Sequence, residues 1–189
     1  MELQTGTLLV AAPDQVDRAL ERTVVLLAEH GEDGSLGLVI NRPSHRRLDT
    51  IVADVCDIPD TRILSDVPVL HGGPHRPDSG WLVFDVRGEN KPVEPHLALT
   101  DELALTASPQ VLVSLLSAQK IPQFLFALGY LAWQPGELEL QVACTHWFVL
   151  PADASLVFDV PLERRWESAL ASHLGIPPGW GPPVPWAET

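Results

Sequence analysis

Apolar residues along the chain occur in short runs separated by turn-forming residues, a pattern typical of a sheet made of many short strands. The runs at 5–13, 22–30 and 35–41 predict three buried strands. Gly-Glu-Asp-Gly at 31–34 predicts a hairpin turn between the second and third strands. The β-branched apolar run 22–30 is typical of a strand buried on both faces, and residues 124–133 give the strongest prediction of a further buried strand.

Four more strands are predicted from shorter runs. Two of them flank the Gly- and Pro-rich loop 71–80, and the others cover residues 145–153 and 155–160. Residues 87–96 are predicted to be an exposed loop, because they are polar and contain Gly and Pro.

Helical spacing of apolar residues appears between these runs. Leu48, Ile51, Val52 and Val55 predict one amphipathic helix, with Asp49 available as its cap. The remaining helices are predicted at 108–120, with Ser108 as N-cap and Pro109 in the first turn, at 134–144, at 161–175, and over about two turns at 14–21.

Strands and helices alternate without a regular βαβ rhythm, and some strand connections are too short for a parallel crossover. The sequence therefore predicts an α+β fold with a mixed sheet. A length of 189 residues with 46% hydrophobic content suits one domain, assigned to 1–176, followed by an extended Pro-rich tail at 177–189.

Charge and cysteine content narrow the class of protein. The formal net charge is −13, which repels nucleic-acid phosphates, so direct DNA binding is not expected. Two cysteines, without zinc-ligand spacing, favour a reducing cytoplasm and no structural metal. No signal peptide and no membrane span are predicted. The sequence indicates no cofactor and assigns no oligomeric state.

Glu29-His30 is the first candidate site. A general acid–base pair requires both groups to reach one substrate, but successive residues of a strand point to opposite faces. The two side chains can converge only if the strand ends before His30, which Gly31 would permit. The alternative is a structural role, in which one residue ties down the turn and the other is a satisfied polar group.

Gly72-Gly73-Pro74 is the second candidate, because the N–H groups of a glycine turn can cradle an anion or an oxyanion. The alternative is an ordinary turn. His71 and His75 have no third ligand at a suitable spacing, so no metal site is predicted.

Arg42, Arg46 and Arg47 form a basic cluster, either a solvated edge or the place where an acidic ligand or a nucleic-acid phosphate would bind. If 31–34 is the turn, Ser35 pairs near His30 and Asn41 pairs near Val24, which places Asn41 about 20 Å from His30.

The chain resembles the AlgH/YqgE family of bacterial proteins over residues 6–176. The residues that carry the resemblance are, in chain order, Pro13, Asp17, Arg22–Val25, Glu29-His30, Gly34, Gly37, Asn41–Pro43, Gly72–Pro74, Gly129-Tyr130, Trp133, Gly136–Glu139, Trp147, Asp153, Phe158 and Trp166. The resemblance implies a single α+β domain whose bent, mainly antiparallel sheet forms a pseudo-barrel flanked by helices. Family members have no established molecular function. They are labelled transcriptional regulators because one is linked to alginate production, and this label does not require DNA contact.

The chain departs from the family pattern at five positions. Leu20 replaces the usual Phe, Ala28 a frequent Cys, Glu137 the usual Gln, Gln141 the usual Glu, and Thr145 a common Asn. Residues 137 and 141 share a helix face, so an amide and a carboxylate have changed places.

These observations predict a cytoplasmic protein with an indirect regulatory role, or one that binds a small acidic ligand or a protein partner. The expected pocket residues are Glu29, His30 and Gly72–Pro74. The resemblance adds Asn41, Arg42, Trp133 and Glu137 as secondary candidates. One alternative is an enzyme that uses His30 as acid or base with the Gly72-Gly73 N–H groups as oxyanion donors. The other is a DNA-binding regulator.

Overall fold

A bent sheet of ten strands forms the centre of the protein in a computed structural model that describes residues 2–55, 64–87, 96–117 and 121–175. The strands are β1 (Thr7–Ala11), β2 (Val24–Gly31), β3 (Gly34–Val39), β4 (Pro43–Arg47), β5 (Pro68–His71), β6 (His75–Asp85), β7 (Leu97–Ala98), β8 (Leu103–Thr106), β9 (Phe124–Trp133) and β10 (Trp147–Pro151). The α-helices are α1 (Leu48–Val55), α2 (Pro109–Leu116), α3 (Glu137–Ala143) and α4 (Leu162–His173).

The strands follow the order β10-β1-β2-β3-β9-β6-β8-β7, with β5 paired to β9 and β4 paired to β5. Every described pair is antiparallel except β5–β9. The prediction of a single-domain α+β fold with a mixed, mainly antiparallel, curled sheet is therefore confirmed.

Strand β9 changes its neighbour on one edge, which bends the sheet. Its first half pairs with β5 through Phe126–Leu128, and its second half pairs with β3 through Leu131–Trp133. Gly129 lies between these halves with φ of 71°, in the left-handed region that suits glycine. Strand β6 follows the opposite edge of β9. The bend therefore occurs where β9 passes from β5 to β3.

Apolar residues are buried on both faces of the sheet, which explains why the central strands have continuous apolar runs. In β1, Leu8 packs in the cluster that contains Trp166 of α4, while Leu9 packs in the cluster that contains Leu138 of α3. A third cluster joins α1 and α2 to strands β5, β6 and β9. Among the described residues, no helix has the length and hydropathy needed to cross a membrane.

Several predicted elements differ from the structure. Residues 155–160 were expected to form a strand, but Ser155–Asp159 form a π-helical turn. The N–H of Leu156 donates to Asp153 Oδ1 at 2.9 Å, so side-chain capping starts the turn. Residues 14–21 contain only one 3₁₀ turn, Arg18–Leu20.

The predicted loop 71–80 is also wrong in part, because β6 begins at His75. Pairing with β9 shifts in register between His75 and Gly80, and this irregularity accommodates the Gly- and Pro-containing segment within a strand. Asp49 was predicted to cap α1 from the position before the helix. Because β4 ends at Arg47 and α1 begins at Leu48, Asp49 lies in the first turn of the helix. The predicted tail 177–189 and most of the predicted loop 87–96 lie outside the described residues.

Candidate functional site

A β-bulge near the end of β2 decides where Glu29 and His30 point. The pairing of β2 with β3 shifts in register between Leu27 and Glu29, so Ala28 is an extra residue. The shift brings His30 to the face covered by α3, where its Nδ1 lies 2.8 Å from Ser35 Oγ and its Nε2 lies 3.9 Å from Glu139 Oε1.

Strand β2 continues to Gly31, opposite Gly34. Alternation along the strand therefore sends the exposed Glu29 to the face opposite His30. The condition under which the two groups would converge, a strand that ends before His30, is not met. Ser35, which is almost fully buried and pairs with His30 as the hairpin register predicts, is the polar partner of the imidazole.

Trp133 and Glu137 belong to one hydrogen-bond network between β9 and α3. The indole N–H groups of Trp133 and Trp147 both donate to Gln141 Oε1, at 3.1 and 2.8 Å. Gln141 Nε2 donates to Glu137 Oε1 at 3.3 Å, and the backbone N–H of Gln134 donates to Glu137 Oε2 at 2.9 Å. The secondary candidates Trp133 and Glu137 are thus brought together, and their polar atoms bond to protein groups.

Helix α3 ends in a Schellman motif whose left-handed residue is Thr145. The N–H of His146 donates to the carbonyl of Gln141 at 2.9 Å, and the N–H of Thr145 donates to the carbonyl of Val142 at 2.9 Å. Thr145 has φ of 62°, a conformation in which a β-branched residue is strained. This geometry gives a physical reason for the Asn that the family resemblance leads us to expect at this position.

We expect Thr145→Asn to raise the free energy of unfolding by about 1 kcal/mol, because Asn tolerates the left-handed conformation better than Thr. Urea unfolding followed by tryptophan fluorescence measures the change. Thr145→Ala is the control, and we expect a smaller gain because Ala removes the β-branch but keeps most of the left-handed penalty. A loss of stability in Thr145→Asn would contradict the geometry.

Gly72 and Gly73 lie at the junction where β9 passes from β5 to β3. The N–H of Gly72 donates to the carbonyl of Leu128 at 2.8 Å, and its carbonyl accepts from the N–H of Val39 at 2.9 Å. A Cβ added to Gly73 would lie 2.2 Å from the carbonyl carbon of Tyr130. The Gly72 N–H is therefore engaged in the sheet, and close backbone packing explains both glycines.

The structure does not bring this junction near His30. Val39, which is bonded to Gly72, stands four residues along β3 from Ser35, the partner of His30. Four strand residues span about 13 Å. Pro74 is exposed beside the junction. The two primary candidates therefore occupy separate places.

Asn41 and Arg42 hold the loop between β1 and β2. Asn41 Oδ1 accepts from the N–H of Val24 at 2.9 Å, as expected from the hairpin register, and Asn41 Nδ2 donates to the carbonyl of Arg22 at 2.8 Å. Arg42 donates to the carbonyls of Ala19 and Glu21, at 2.6 and 2.9 Å.

The other two arginines of the basic cluster form exposed ion pairs. Arg46 pairs with Asp78 at 3.0 Å, and Arg47 pairs with Asp49 at 2.6 Å. The hydrogen bond from Arg47 lowers the pKa of Asp49 below its usual value. All three arginines therefore have protein partners.

Arg165 is a buried polar residue that the sequence reasoning missed. It is 2% exposed, and it donates to the carbonyls of Ile40 and Val160. Burial lowers the pKa of Arg165 to about 10, because the charged form is removed from water. The apolar spacing predicted the helix at 161–175 but gave no sign that Arg165 is buried.

An open cleft of about 150 Å³ separates α1 from α2 over the sheet, and we call it the α1–α2 cleft. The lining residues are Ile51, Val52, Asp78, Gly80, Leu82, Thr106, Ala107, Ser108, Pro109, Leu112, Phe126 and Leu128. These residues come from four distant parts of the chain, so no local sequence motif marks the cleft.

The fold defines a class: single-domain α+β proteins built on a curled, mainly antiparallel sheet with a few helices. A family model described as AlgH-like matches residues 8–178. A UPF0301 protein from Chromobacterium violaceum is 38% identical over 171 residues, covering 90% of this chain and 89% of the relative. This chain therefore belongs to the AlgH-like family, as the resemblance indicated.

Two solved structures share the fold. The solution structure of the AlgH protein from Pseudomonas aeruginosa superposes with a TM-score of 0.75 at 31% identity, covering 93% of this chain and 94% of that one. The crystal structure of protein DIP2367 from Corynebacterium diphtheriae gives a TM-score of 0.71 at 23% identity, covering 91% of this chain and 88% of that one. The second match supports the fold alone.

Proposed function

We propose that this protein binds a small ligand with an apolar body in the α1–α2 cleft, and that it acts as an indirect regulator through that ligand or a protein partner. The observation that carries the proposal is the cleft itself, a concave site with a mostly apolar lining and a few polar groups. Ligand sites in proteins typically have this composition. A space of about 150 Å³ is sufficient for a ring the size of benzene.

The alternative of an enzyme based on Glu29 and His30 receives less support. The two side chains leave β2 on opposite faces, and His30 Nδ1 bonds to Ser35. The Gly72 N–H, one of the two expected oxyanion donors beside the Gly73 N–H, donates to the carbonyl of Leu128. An acid–base reaction would need these groups around one substrate.

Direct DNA binding also receives less support. The net charge of −13 opposes phosphate binding, and Arg42 donates to backbone carbonyls that hold a loop. The Arg46 and Arg47 pairs would have to open before either residue could contact phosphate. The expectation of an acidic ligand depended on the same three arginines and on the Gly72–Pro74 turn, where the Gly72 N–H donates to the carbonyl of Leu128.

We expect compact apolar fragments of about eight heavy atoms to perturb the amide NMR signals of Gly80, Ala107 and Leu128, which line the cleft. A fragment at ten times its dissociation constant stabilises the folded state by about 1.4 kcal/mol and raises Tm by about 3–6 °C. Ile51→Trp is expected to remove both effects, because the larger side chain fills the cleft.

Leu140→Trp is the matched control, since Leu140 is exposed on α3 and does not line the cleft. It adds an indole elsewhere and should leave fragment binding unchanged. The proposal fails if the responding signals map to another surface, or if folded Ile51→Trp binds the same fragments with unchanged affinity.

A further inference from the structure

Asp78 is the one charged residue that lines the α1–α2 cleft among the residues that the structure describes. Its side chain is 86% exposed and lies on β6, two residues before Gly80 in the lining. The remaining lining residues are apolar or uncharged. Local charge complementarity therefore favours a cationic group at the Asp78 side of the cleft.

The start of α2 provides poor anion recognition on the other side of the cleft. Helix N-termini bind anions through their first N–H groups, but Pro109 has no N–H. The N–H of Ser108 donates to Thr106 Oγ1 at 3.1 Å, and Ser108 Oγ donates to Gln110 Oε1 at 2.8 Å. Neither Ser108 nor Pro109 therefore offers a free donor to a carboxylate at this end of α2.

The Asp78 carboxylate can exchange its present partner for a ligand. Arg46 donates to it at 3.0 Å, but the Arg46 side chain is 55% exposed, and exposed ion pairs contribute little stability. The net charge of −13 also raises the local concentration of cations near the surface. A ligand ammonium group can therefore replace the guanidinium.

The floor of the cleft suits a ring or a short aliphatic body. A Cβ added to Gly80 would lie 2.7 Å from the ring of Phe126, so the missing side chain leaves room for that ring. Leu82, Leu112 and Leu128 complete an apolar surface around it.

We propose that the ligand of the α1–α2 cleft is a small primary amine, with its apolar body on the Phe126 floor and its ammonium group paired with Asp78. This inference rests on the proposed function, because it assigns the ligand class of the same site. Asp78 is the residue that determines specificity for charge.

The test compares three probes of similar size that share one phenyl ring, benzylamine, benzyl alcohol and benzoate, titrated into the full chain at pH 7 and followed by amide NMR. We expect benzylamine to bind about threefold more tightly than benzyl alcohol, and benzoate to bind more weakly than the alcohol. Asp78→Asn should make the amine and the alcohol equal. If no probe perturbs the cleft signals, the proposed function itself fails.

Arg46→Gln and Arg47→Gln form a matched pair, because each removes one exposed arginine but only Arg46 is bonded to Asp78. Arg46→Gln should tighten benzylamine binding about twofold, while Arg47→Gln should leave it within experimental error. The amine proposal would be overturned if benzoate bound most tightly, or if Asp78→Asn still preferred the amine to the alcohol. In either case the cleft would remain a ligand site.

Discussion

Gly73→Ala is expected to lower the free energy of unfolding by about 4 kcal/mol, which corresponds to a fall in Tm of about 8–16 °C. The added Cβ would lie 2.2 Å from the carbonyl carbon of Tyr130 and 2.3 Å from its oxygen. Both atoms belong to the backbone of β9 at its junction with β3, so neither can move without disturbing the sheet. Differential scanning calorimetry measures the change.

Gly31→Ala is the matched control, because a Cβ at Gly31 would meet nothing within 4 Å. We expect its Tm to change by no more than about 2 °C. The comparison of the two variants distinguishes a packing role of Gly72–Pro74 from an anion-binding role. A folded Gly73→Ala protein of unchanged stability that had lost an anion ligand would contradict the packing role and restore the anion site.

The local patterns of the sequence predicted many of the elements because their signals are contained within one segment. Strand β9 follows a single apolar run, and α2 begins where Ser108 and Pro109 predicted. The hairpin register also followed from its turn, since His30 pairs with Ser35 as expected. Asn41 bonds to Val24 for the same reason.

Long-range pairing could not be read in this way. The apolar runs that became β5 and β6 look like the arms of one hairpin, but β9 lies between them and pairs with both. The bulge at Ala28 gives no local sequence signal, yet it decides the face on which His30 lies. The apolar run at 155–160 was ambiguous in period, and capping by Asp153 produced a turn there.

The candidate site shows the same contrast between local sequence signals and long-range packing. Sequence reasoning selected residues with conspicuous chemistry, but several of them hold the fold together: Asn41, Arg42, Gly72 and Glu137 all bond to neighbouring protein groups. The α1–α2 cleft is lined mainly by ordinary apolar residues such as Leu112 and Phe126. Such residues acquire a binding surface only through the way that distant segments pack.

The second large effect is expected at the network of α3, where Gln141→Glu should destabilise the protein by about 2 kcal/mol at pH 7. Gln141 Nε2 donates to Glu137 Oε1 at 3.3 Å, and a carboxylate at 141 would replace this hydrogen bond by repulsion between two anions. Glu137→Gln alone should cost about 1 kcal/mol, because the N–H of Gln134 and Nε2 of Gln141 donate to different oxygens of Glu137, and an amide would place its own NH2 donor against one of them.

The double variant Glu137→Gln/Gln141→Glu should be within about 0.5 kcal/mol of the parent, because every donor regains an acceptor. The carboxylate at 141 would accept from the indoles of Trp133 and Trp147 and from the amide at 137, whose oxygen would accept from Gln134. Urea unfolding of all four proteins gives the coupling energy, expected to be about 2–3 kcal/mol. Additive losses would show that the two positions act independently, and Glu137 would then return as a candidate ligand residue.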